Sequence, residues 1–338
     1  MKNVIVLLLI LIVFITAPLF AAGGREAVED DTVTMKVAGI SPEDYRGTQG
    51  LYRIKETVER DTAGRISMDI FPMNQLGDYT QVFEEIQRGT IEMGLIFIPS
   101  HFDVMLELGS LPFLASDAME LQEQLSPGSF VFDILHDTLD RFGVKLLRIH
   151  GDGFIGIGTT RAPVAPLDPS VDKDMLIRAA PLAVYTDTAG DMGYRTTTIP
   201  YADTYSAIQT GVVDGWIGGS ANINYHVFRD VIKYYIPYNA LFDQTAFLIN
   251  KDLWYSFSES DRQVIMDAVN READQSFVDS ATEDDTYMDL MRERGIEIIE
   301  VSDEERAILA EHIRATTWPR FESKFGADML NKVLDAVQ

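Results

Sequence analysis

Residues 199–220, IPYADTYSAIQTGVVDGWIGGS, place a helix, a glycine stop and an extended segment next to one another. The apolar spacing before Gly211 predicts a helix that this glycine caps at its C-terminus. Residues 212–217 then predict a strand. Trp216 lies just before a Gly-Gly pair, and glycines in such a position indicate that another backbone or a ligand comes very close. The stretch therefore predicts an α/β unit with a close neighbour at the end of its strand.

The rest of the chain alternates between the same two kinds of segment. Short apolar segments predict further strands over residues 32–38, 66–70, 93–97, 144–150, 175–179 and 245–250. Helices are predicted between them, then a long helical stretch over 259–294, a helix that starts with the capping-box pair Ser302 and Glu305, and one more over 321–337. This alternation implies a largely parallel sheet with helices on its faces. The predicted fold class is α/β, with two lobes closed over by C-terminal helices.

Composition and charge exclude several kinds of partner. The 338 residues carry a net charge of −25 and no cysteine. Nucleic acid and anionic membranes need basic surface, so neither is expected as a partner. Thiolate metal sites and disulfides are excluded, and a chain of this length can stabilise itself by core burial alone. No metal ion and no cofactor is expected.

The N-terminal segment predicts export. A lysine-bearing start is followed by an unbroken apolar run over 4–15 and by the small residues 21–23, which is the pattern of a cleaved secretory signal. An uncleaved membrane anchor is the alternative, because the apolar segment nearly spans a bilayer. We expect residues 1–23 to be the signal peptide and the mature protein, with a net charge of −26, to be periplasmic.

One apparent nucleotide motif does not fit its mechanism. The sequence GDGFIG at 151–156 matches G-x-G-x-x-G after a predicted strand. A dinucleotide site needs a helix to begin within the motif, so that its N-terminus meets the pyrophosphate. The residues that follow contain three prolines and no helical period, so 152–169 is predicted to be a crossover between lobes. Five scattered histidines and the lack of a nucleophile-elbow motif give no catalytic constellation, and an enzyme is not expected.

Arg178 is the most informative charged residue. It lies in the apolar segment DMLIRAAPL, which reads as a strand buried on both faces. A buried arginine needs an anion, because an unpaired buried charge is very costly. That anion is either one of the 53 acidic residues of the chain or the carboxylate of a ligand. The local sequence leaves both possibilities open.

Four segments carry a resemblance to a known family: MNQLGDYTQVFEEIQRGTIEMGL at 73–95, LGSLPFLASD at 108–117, MLIRAAP at 175–181 and IPYADTYSAIQTGVVDG at 199–215. In this order they resemble the substrate-binding proteins of tripartite ATP-independent periplasmic (TRAP) transporters, the DctP-type solute receptors, over nearly the whole mature chain. The resemblance implies a two-lobed periplasmic binding-protein fold with a ligand cleft between the lobes. It also implies a receptor that delivers an organic acid to TRAP-type integral membrane permease subunits, and a monomer is expected.

The resemblance also assigns candidate ligand-binding residues. Arg178 takes the place of the family's arginine that holds the ligand carboxylate, and Tyr201 that of an aromatic residue that packs on the ligand. Gly218 stands where many members have a carboxylate-binding asparagine, and Phe154 or Ile155 stands where some have a second arginine. Both departures remove polar contacts and add apolar surface.

Two further aromatic residues complete the candidate site. Strand alternation puts Trp216 on the same face as Gly218, so that it either lines the cleft or belongs to the core. Phe97, at the end of its predicted strand, is the other candidate. The expected ligand is a monocarboxylate with an apolar or aromatic body. A C4-dicarboxylate receptor is the alternative, followed by an exported enzyme and a ligand-presenting sensor.

The expected domain organisation follows from the same resemblance. Lobe I is expected to comprise residues 31–153 and about 244–283, lobe II about 154–243 and 284–312, and a C-terminal helical segment 313–338.

Overall fold

The computed structural model describes residues 32–115 and 117–336. The predicted signal peptide, residues 1–23, lies outside the described residues. Within them, no helix has the length and apolar character needed to cross a membrane.

Strands and helices alternate along the described chain. The strands are β1 (Val33–Gly39), β2 (Ile66–Phe71), β3 (Met93–Ile96), β4 (Val144–Phe154), β5 (Ile157–Thr159), β6 (Leu176–Ala179), β7 (Arg195–Thr198), β8 (Gly215–Ile217), β9 (Tyr234–Ile236), β10 (Phe242–Asn250) and β11 (Glu297–Ile298). The helices are α1 (Arg46–Asp61), α2 (Tyr79–Arg88), α3 (Ala118–Gln124), α4 (Phe130–Arg141), α5 (Ala183–Asp191), α6 (Thr204–Gln209), α7 (Ala221–Ile223), α8 (Lys251–Ser256), α9 (Glu259–Ser280), α10 (Asp284–Glu293), α11 (Asp303–Thr316), α12 (Trp318–Phe325) and α13 (Ala327–Ala336). Short 3₁₀ helices lie at Ser100–Phe102, Val104–Ser110 and Tyr201–Asp203, and a π-helical turn at Asn224–Phe228.

A five-stranded sheet has the order β2-β1-β3-β10-β4. Strand β1 pairs in parallel with β2 and β3, as expected for strands joined by helical crossovers. Strand β10 pairs antiparallel with both β3 and β4. The prediction of a largely parallel sheet is therefore wrong for the two pairs that β10 forms with β3 and β4. Strand β10 lies far from β3 and β4 in the sequence, so no short helical crossover joins it to either strand and makes the pair parallel.

A six-stranded sheet has the order β11-β9-β5-β8-β6-β7. Strand β6, which carries Arg178, lies between β7 and β8 and is parallel to both. Strand β5 pairs antiparallel with β8 and β9. Arg178 is opposite Thr197 on one side and Trp216 on the other. The sheet thus brings two of the sequence-predicted site residues onto neighbouring strands.

Each sheet is the centre of one lobe, and we call the lobe of the five-stranded sheet lobe I and the other lobe II. The C-terminal helices pack across both, as predicted. In α11, the His312 ring is 2.9 Å from the carbonyl oxygen of Asp191 in lobe II. In α12, the Trp318 indole donates to the carbonyl oxygen of Pro112 in lobe I at 3.1 Å. The two-lobed α/β fold is confirmed, while the residue boundaries of the lobes stay a prediction.

Local sequence signals place several helix ends correctly. Helix α2 begins where the Asp78 side chain accepts a hydrogen bond from the backbone of Thr80, and it ends at Gly89 in the left-handed region (φ 74°). The predicted capping box of Ser302 and Glu305 opens α11. All three signals are local, so no knowledge of the tertiary fold is needed to find them.

No helix begins in the glycine motif at 151–156, as predicted, and the chain crosses there from β4 of the five-stranded sheet to β5 of the six-stranded sheet. The crossover starts later than predicted, because β4 continues to Phe154. Two other local predictions are wrong. The helical stretch predicted over 259–294 is broken between α9 and α10, where the Glu283 carboxylate accepts hydrogen bonds from Arg46 and Asn222, both at 2.8 Å. The last helix is likewise divided, at Gly326 (φ 84°).

Candidate ligand-binding site

A cavity of about 610 Å³, including the space that opens to solvent, lies between the two lobes. Its aromatic lining residues are Tyr79, Phe97, Tyr185, Tyr201 and Trp216. Its polar and charged lining residues are Ser100, Glu107, Ser110, Arg178, Asp243 and Gln244. An apolar cavity with a few convergent polar groups between lobes is the usual form of a small-molecule site.

Several contacts join the lobes around this cavity. The rings of Phe97 in lobe I and Tyr201 in lobe II meet edge to face with centroids 5.5 Å apart. The backbone N–H of Ala202 donates to the Asp78 carboxylate at 3.3 Å. The backbone N–H of Ala183, at the start of α5, donates to Glu107 Oε1 at 3.2 Å. The lobes are thus in contact around the cavity.

Arg178 lies in the cavity wall as a buried cation without an acidic partner. The residue is 3% exposed, and its Nε donates to the carbonyl oxygen of Ile199 at 2.9 Å. In the described part of the chain, no carboxylate lies within the 4.0 Å of an ion pair and no acceptor binds its terminal nitrogens. Burial lowers the pKa of the guanidinium, and nearby tyrosines oppose that shift. Of the two anions left open by the sequence, the internal carboxylate is absent from the described residues.

Tyr201 lies beside the guanidinium. The Cζ atom of Arg178 is 5.9 Å from the centroid of the Tyr201 ring, within the range of a cation–π contact. The 3₁₀ helix that carries Tyr201 follows directly on the Ile199 carbonyl that binds Arg178. The same short segment therefore positions both side chains.

The glycines beside Trp216 are explained by its own ring. A Cβ atom on Gly218 would lie 2.4 Å from Cζ3 of Trp216, and one on Gly219 would lie 2.8 Å from Cγ2 of Ile223 and 3.0 Å from Cη2 of Trp216. Gly218 also has a φ of 152°, which side chains rarely adopt. Trp216 is 2% exposed, its Nε1 donates to Asn224 Oδ1 at 3.0 Å, and its ring lies 4.2 Å from that of Phe228. The indole is a core residue that also forms part of the cavity wall, so it satisfies both sequence-based alternatives.

Phe154 does not line the central cavity. Its ring packs edge to face on Phe242, 5.2 Å between centroids, and lines a separate cavity of about 210 Å³ with Leu111 and Leu241. The structure thus brings together five of the six candidates, namely Phe97, Arg178, Tyr201, Trp216 and Gly218. The role of each in ligand binding stays a prediction.

Sequence reasoning missed the acidic side of the cavity. Glu107 is 6% exposed and Asp243 is 3% exposed, and both line the cavity. Each stands in an apolar segment, MLELG and LFDQTAFLIN, and a lone acid in such a segment is the signal that could have identified it. Burial raises the pKa of Asp243 well above its usual value, and the nearby Asp152 carboxylate adds to the shift. The Tyr185 hydroxyl lies 3.4 Å from Asp243 Oδ1.

The described residues contain no group of three or more His, Cys, Asp or Glu side chains that could hold a metal ion.

A family model for the bacterial extracellular solute-binding proteins, family 7 (DctP), matches residues 37–324. The chain belongs to this family. Members of this family are extracellular solute-binding proteins, so the family's role is that of a receptor rather than an enzyme. Among curated relatives of the DctP family, the C4-dicarboxylate-binding periplasmic protein DctP of Rhodobacter capsulatus is 23% identical over 301 residues, which covers 87% of each chain. An uncharacterized protein of Haemophilus influenzae is 24% identical over 210 residues, and that alignment spans 62% of each chain.

Solved structures of TRAP substrate-binding proteins share the fold. The sugar acid binding protein DctPAm of Advenella mimigardefordensis, in complex with galactonate, has a TM-score of 0.82 at 19% identity over 91% of this chain and 98% of that one. A TRAP periplasmic solute-binding protein of Desulfovibrio salexigens with bound orotic acid has a TM-score of 0.79 at 20% identity over 90% of this chain and 97% of that one. At these identities the likeness establishes the two-lobed DctP-family fold.

Proposed function

We propose that this protein is the periplasmic receptor of a TRAP transport system and binds an organic monocarboxylate with an apolar or aromatic body. Its lobes close on the acid, and it delivers the acid to membrane permease subunits. The observation that carries the proposal is the guanidinium of Arg178, which lines the cavity with no carboxylate partner among the described residues. A buried cation in this state favours an anionic ligand, because the ligand compensates for the lost hydration.

The aromatic lining supports the proposed ligand body. Phe97, Tyr201 and Trp216 offer apolar surface next to the cation. Galactonate and orotic acid, bound by the two structural relatives, are both organic acids. A charge-assisted hydrogen bond contributes roughly 1.5–3 kcal/mol, so a bidentate contact supplies about half of the roughly 8 kcal/mol of micromolar binding. Apolar burial, at about 25 cal/mol per Å², contributes much of the rest.

A C4-dicarboxylate is the second candidate, because a curated relative is a C4-dicarboxylate-binding protein. Among the described lining residues, however, Arg178 is the one arginine or lysine. The Glu107 carboxylate lines the same cavity and would repel a second carboxylate. These charges favour the monocarboxylate.

A thermal-shift screen of organic acids on the purified protein tests the proposal. A ligand at 100 times its Kd stabilises a protein by about 2.7 kcal/mol, whatever its identity. We expect monocarboxylates with apolar or aromatic bodies to raise the melting temperature more than succinate and malate do. Stronger stabilisation by the diacids would reject the monocarboxylate, and no stabilisation by any organic acid would reject the receptor function itself.

A further inference from the structure

Glu107 presents an unsatisfied oxygen within the cavity wall. The residue belongs to the 3₁₀ helix Val104–Ser110 of lobe I. Its Oε1 accepts hydrogen bonds from Ser100 Oγ at 3.1 Å and from the backbone N–H of Ala183 at 3.2 Å. These two donors fix the carboxylate in place. Its Oε2 is buried, and no donor in the described chain binds it. A carboxylate oxygen in this position is costly unless a ligand supplies the donor.

Gln244 presents a second unsatisfied oxygen on the same wall. Its Oε1 is buried and has no hydrogen-bond partner among the described residues. Its Nε2 donates to Ser110 Oγ at 3.3 Å and lies against Gly109, so the side chain packs on the helix that carries Glu107. Both residues line the cavity, each has one buried acceptor oxygen without a donor among the described residues, and we call Glu107 and Gln244 the acceptor wall.

Arg178 is separate from the acceptor wall. It lies on β6 of lobe II, and no carboxylate of the described chain, Glu107 included, approaches it within ion-pair distance. A simple carboxylic acid would satisfy the guanidinium and leave both acceptors without a donor. A ligand that also carries N–H groups with positive charge would satisfy the two features together, since ammonium groups have donors and no acceptor.

We infer that the ligand is a zwitterion, an organic acid with a protonated amine, whose carboxylate binds Arg178 and whose ammonium donates to Glu107 Oε2 and Gln244 Oε1. This inference rests on the proposed function, because it takes the carboxylate contact with Arg178 as given. Amino acids with an aromatic or branched side chain combine these groups with the apolar body that the lining favours. The amine is the feature that separates this class from the sugar acids and orotic acid of the structural relatives.

Matched trios of compounds test the inference on the unmodified protein. Each trio consists of an amino acid, its hydroxy-acid analogue and its N-acetyl derivative: phenylalanine, phenyllactate and N-acetylphenylalanine; leucine, its 2-hydroxy analogue and N-acetylleucine; alanine, lactate and N-acetylalanine. Affinities are measured by calorimetry. We expect the free amino acid of at least one trio to bind ten or more times more tightly than its two analogues. Equal or tighter binding of the hydroxy or acetylated acid in every trio overturns the inference.

Glu107→Gln tests the role of the carboxylate itself. Glutamine keeps an oxygen that can accept from Ser100 and Ala183, so the variant should melt within a few degrees of the unmodified protein. We expect it to lose at least tenfold in affinity for the amino acid and to bind the hydroxy acid about as before. An equal loss for both compounds, or for neither, contradicts the ammonium contact.

The outcomes separate this inference from the proposed function. If organic acids without an amine bind and Arg178→Met abolishes their binding, the receptor function stands and the zwitterion is wrong. If amines that lack a carboxylate bind as tightly as the amino acids, the acceptor wall is a cation site and the proposed acid receptor is wrong. If no acid with or without an amine binds, both fail.

Discussion

Replacement of Arg178 by methionine separates a ligand-binding arginine from a structural one, because the two predict opposite changes in stability. Among the described residues the guanidinium makes one hydrogen bond, from Nε to the Ile199 carbonyl oxygen. Loss of that bond costs about 1 kcal/mol. The same change removes a buried cation without an acidic partner, whose desolvation penalty is on the order of several kcal/mol. We therefore expect the free energy of unfolding to stay the same or to increase.

Ligand affinity should fall steeply in the same variant. The two terminal nitrogens of Arg178 have no acceptor in the described chain, and their spacing matches the two oxygens of a carboxylate. Charge-assisted hydrogen bonds contribute roughly 1.5–3 kcal/mol. Loss of the bidentate contact should thus remove about 3 kcal/mol, which corresponds to roughly a hundredfold higher Kd.

Arg148 provides a matched control. It is a buried arginine, 6% exposed, on β4, and it does have partners: Asp274 at 2.5 Å and Asn270 at 2.7 Å. Arg148→Met should destabilise the protein by only about 1–2 kcal/mol, because the Asp274 side chain is 56% exposed and the pair is not a buried one, and ligand affinity should stay unchanged.

The assay is urea unfolding of both variants together with calorimetric titration of the acid that stabilises the unmodified protein most in the thermal-shift screen. An affinity of Arg178→Met within threefold of the unmodified protein would refute the anchor role. A loss of 3–5 kcal/mol in its unfolding free energy would also refute it, because that is the cost of breaking a buried ion pair.

Three further changes test the packing and electrostatics around the site. Gly218→Ala should destabilise the protein by about 2–3 kcal/mol and weaken ligand binding, because its Cβ would lie 2.4 Å from the Trp216 ring. Gly190→Ala is the control, since its Cβ would meet nothing within 4 Å. Equal urea midpoints for the two variants would contradict the close contact at Gly218. Lys173→Met should lower the free energy of unfolding by about 2–3 kcal/mol, because this fully buried ammonium donates to three backbone carbonyls. An unchanged free energy in urea unfolding would show that water replaces the ammonium as their donor. Burial raises the pKa of Asp284 to about 7, so the free energy of unfolding should fall as the pH rises from about 4 to 7. Asp284→Asn should flatten this part of the pH profile and be about 1–2 kcal/mol more stable than the unmodified protein at pH 8. Parallel stability profiles of the two proteins would contradict the pKa shift.

The sequence predicts those parts of the fold that local signals determine. Alternation in β2, the Gly89 cap of α2 and the capping box of α11 act within a few residues, and each is present in the structure. The break between α9 and α10 has no glycine or proline to mark it. It coincides with hydrogen bonds from Arg46 and Asn222 to Glu283, which come from distant segments. Such a break cannot be predicted from local spacing.

Some residues of the candidate site can likewise be predicted from the local sequence, and others cannot. Arg178 stands out because an arginine in an apolar strand needs an anion, and Tyr201 follows from the motif beside it. Glu107 and Gln244 are 137 positions apart, and only the fold brings them to one wall. A polar residue whose role depends on distant tertiary neighbours is hard to identify from a single sequence.

The charges of the cavity select ligands more strongly than the charge of the whole protein does. The net charge of −25 repels anions, but salt confines that field to about 8 Å. Inside the cavity, two like charges about 4 Å apart interact by about 4 kcal/mol at an effective dielectric of about 20. A diacid that placed its second carboxylate next to Glu107 would lose about a thousandfold in affinity, whereas an ammonium in the same place would gain by a similar interaction. We therefore expect a ligand whose ammonium meets the acceptor wall to bind more tightly than a C4-dicarboxylate, although Arg178 would hold the first carboxylate of either.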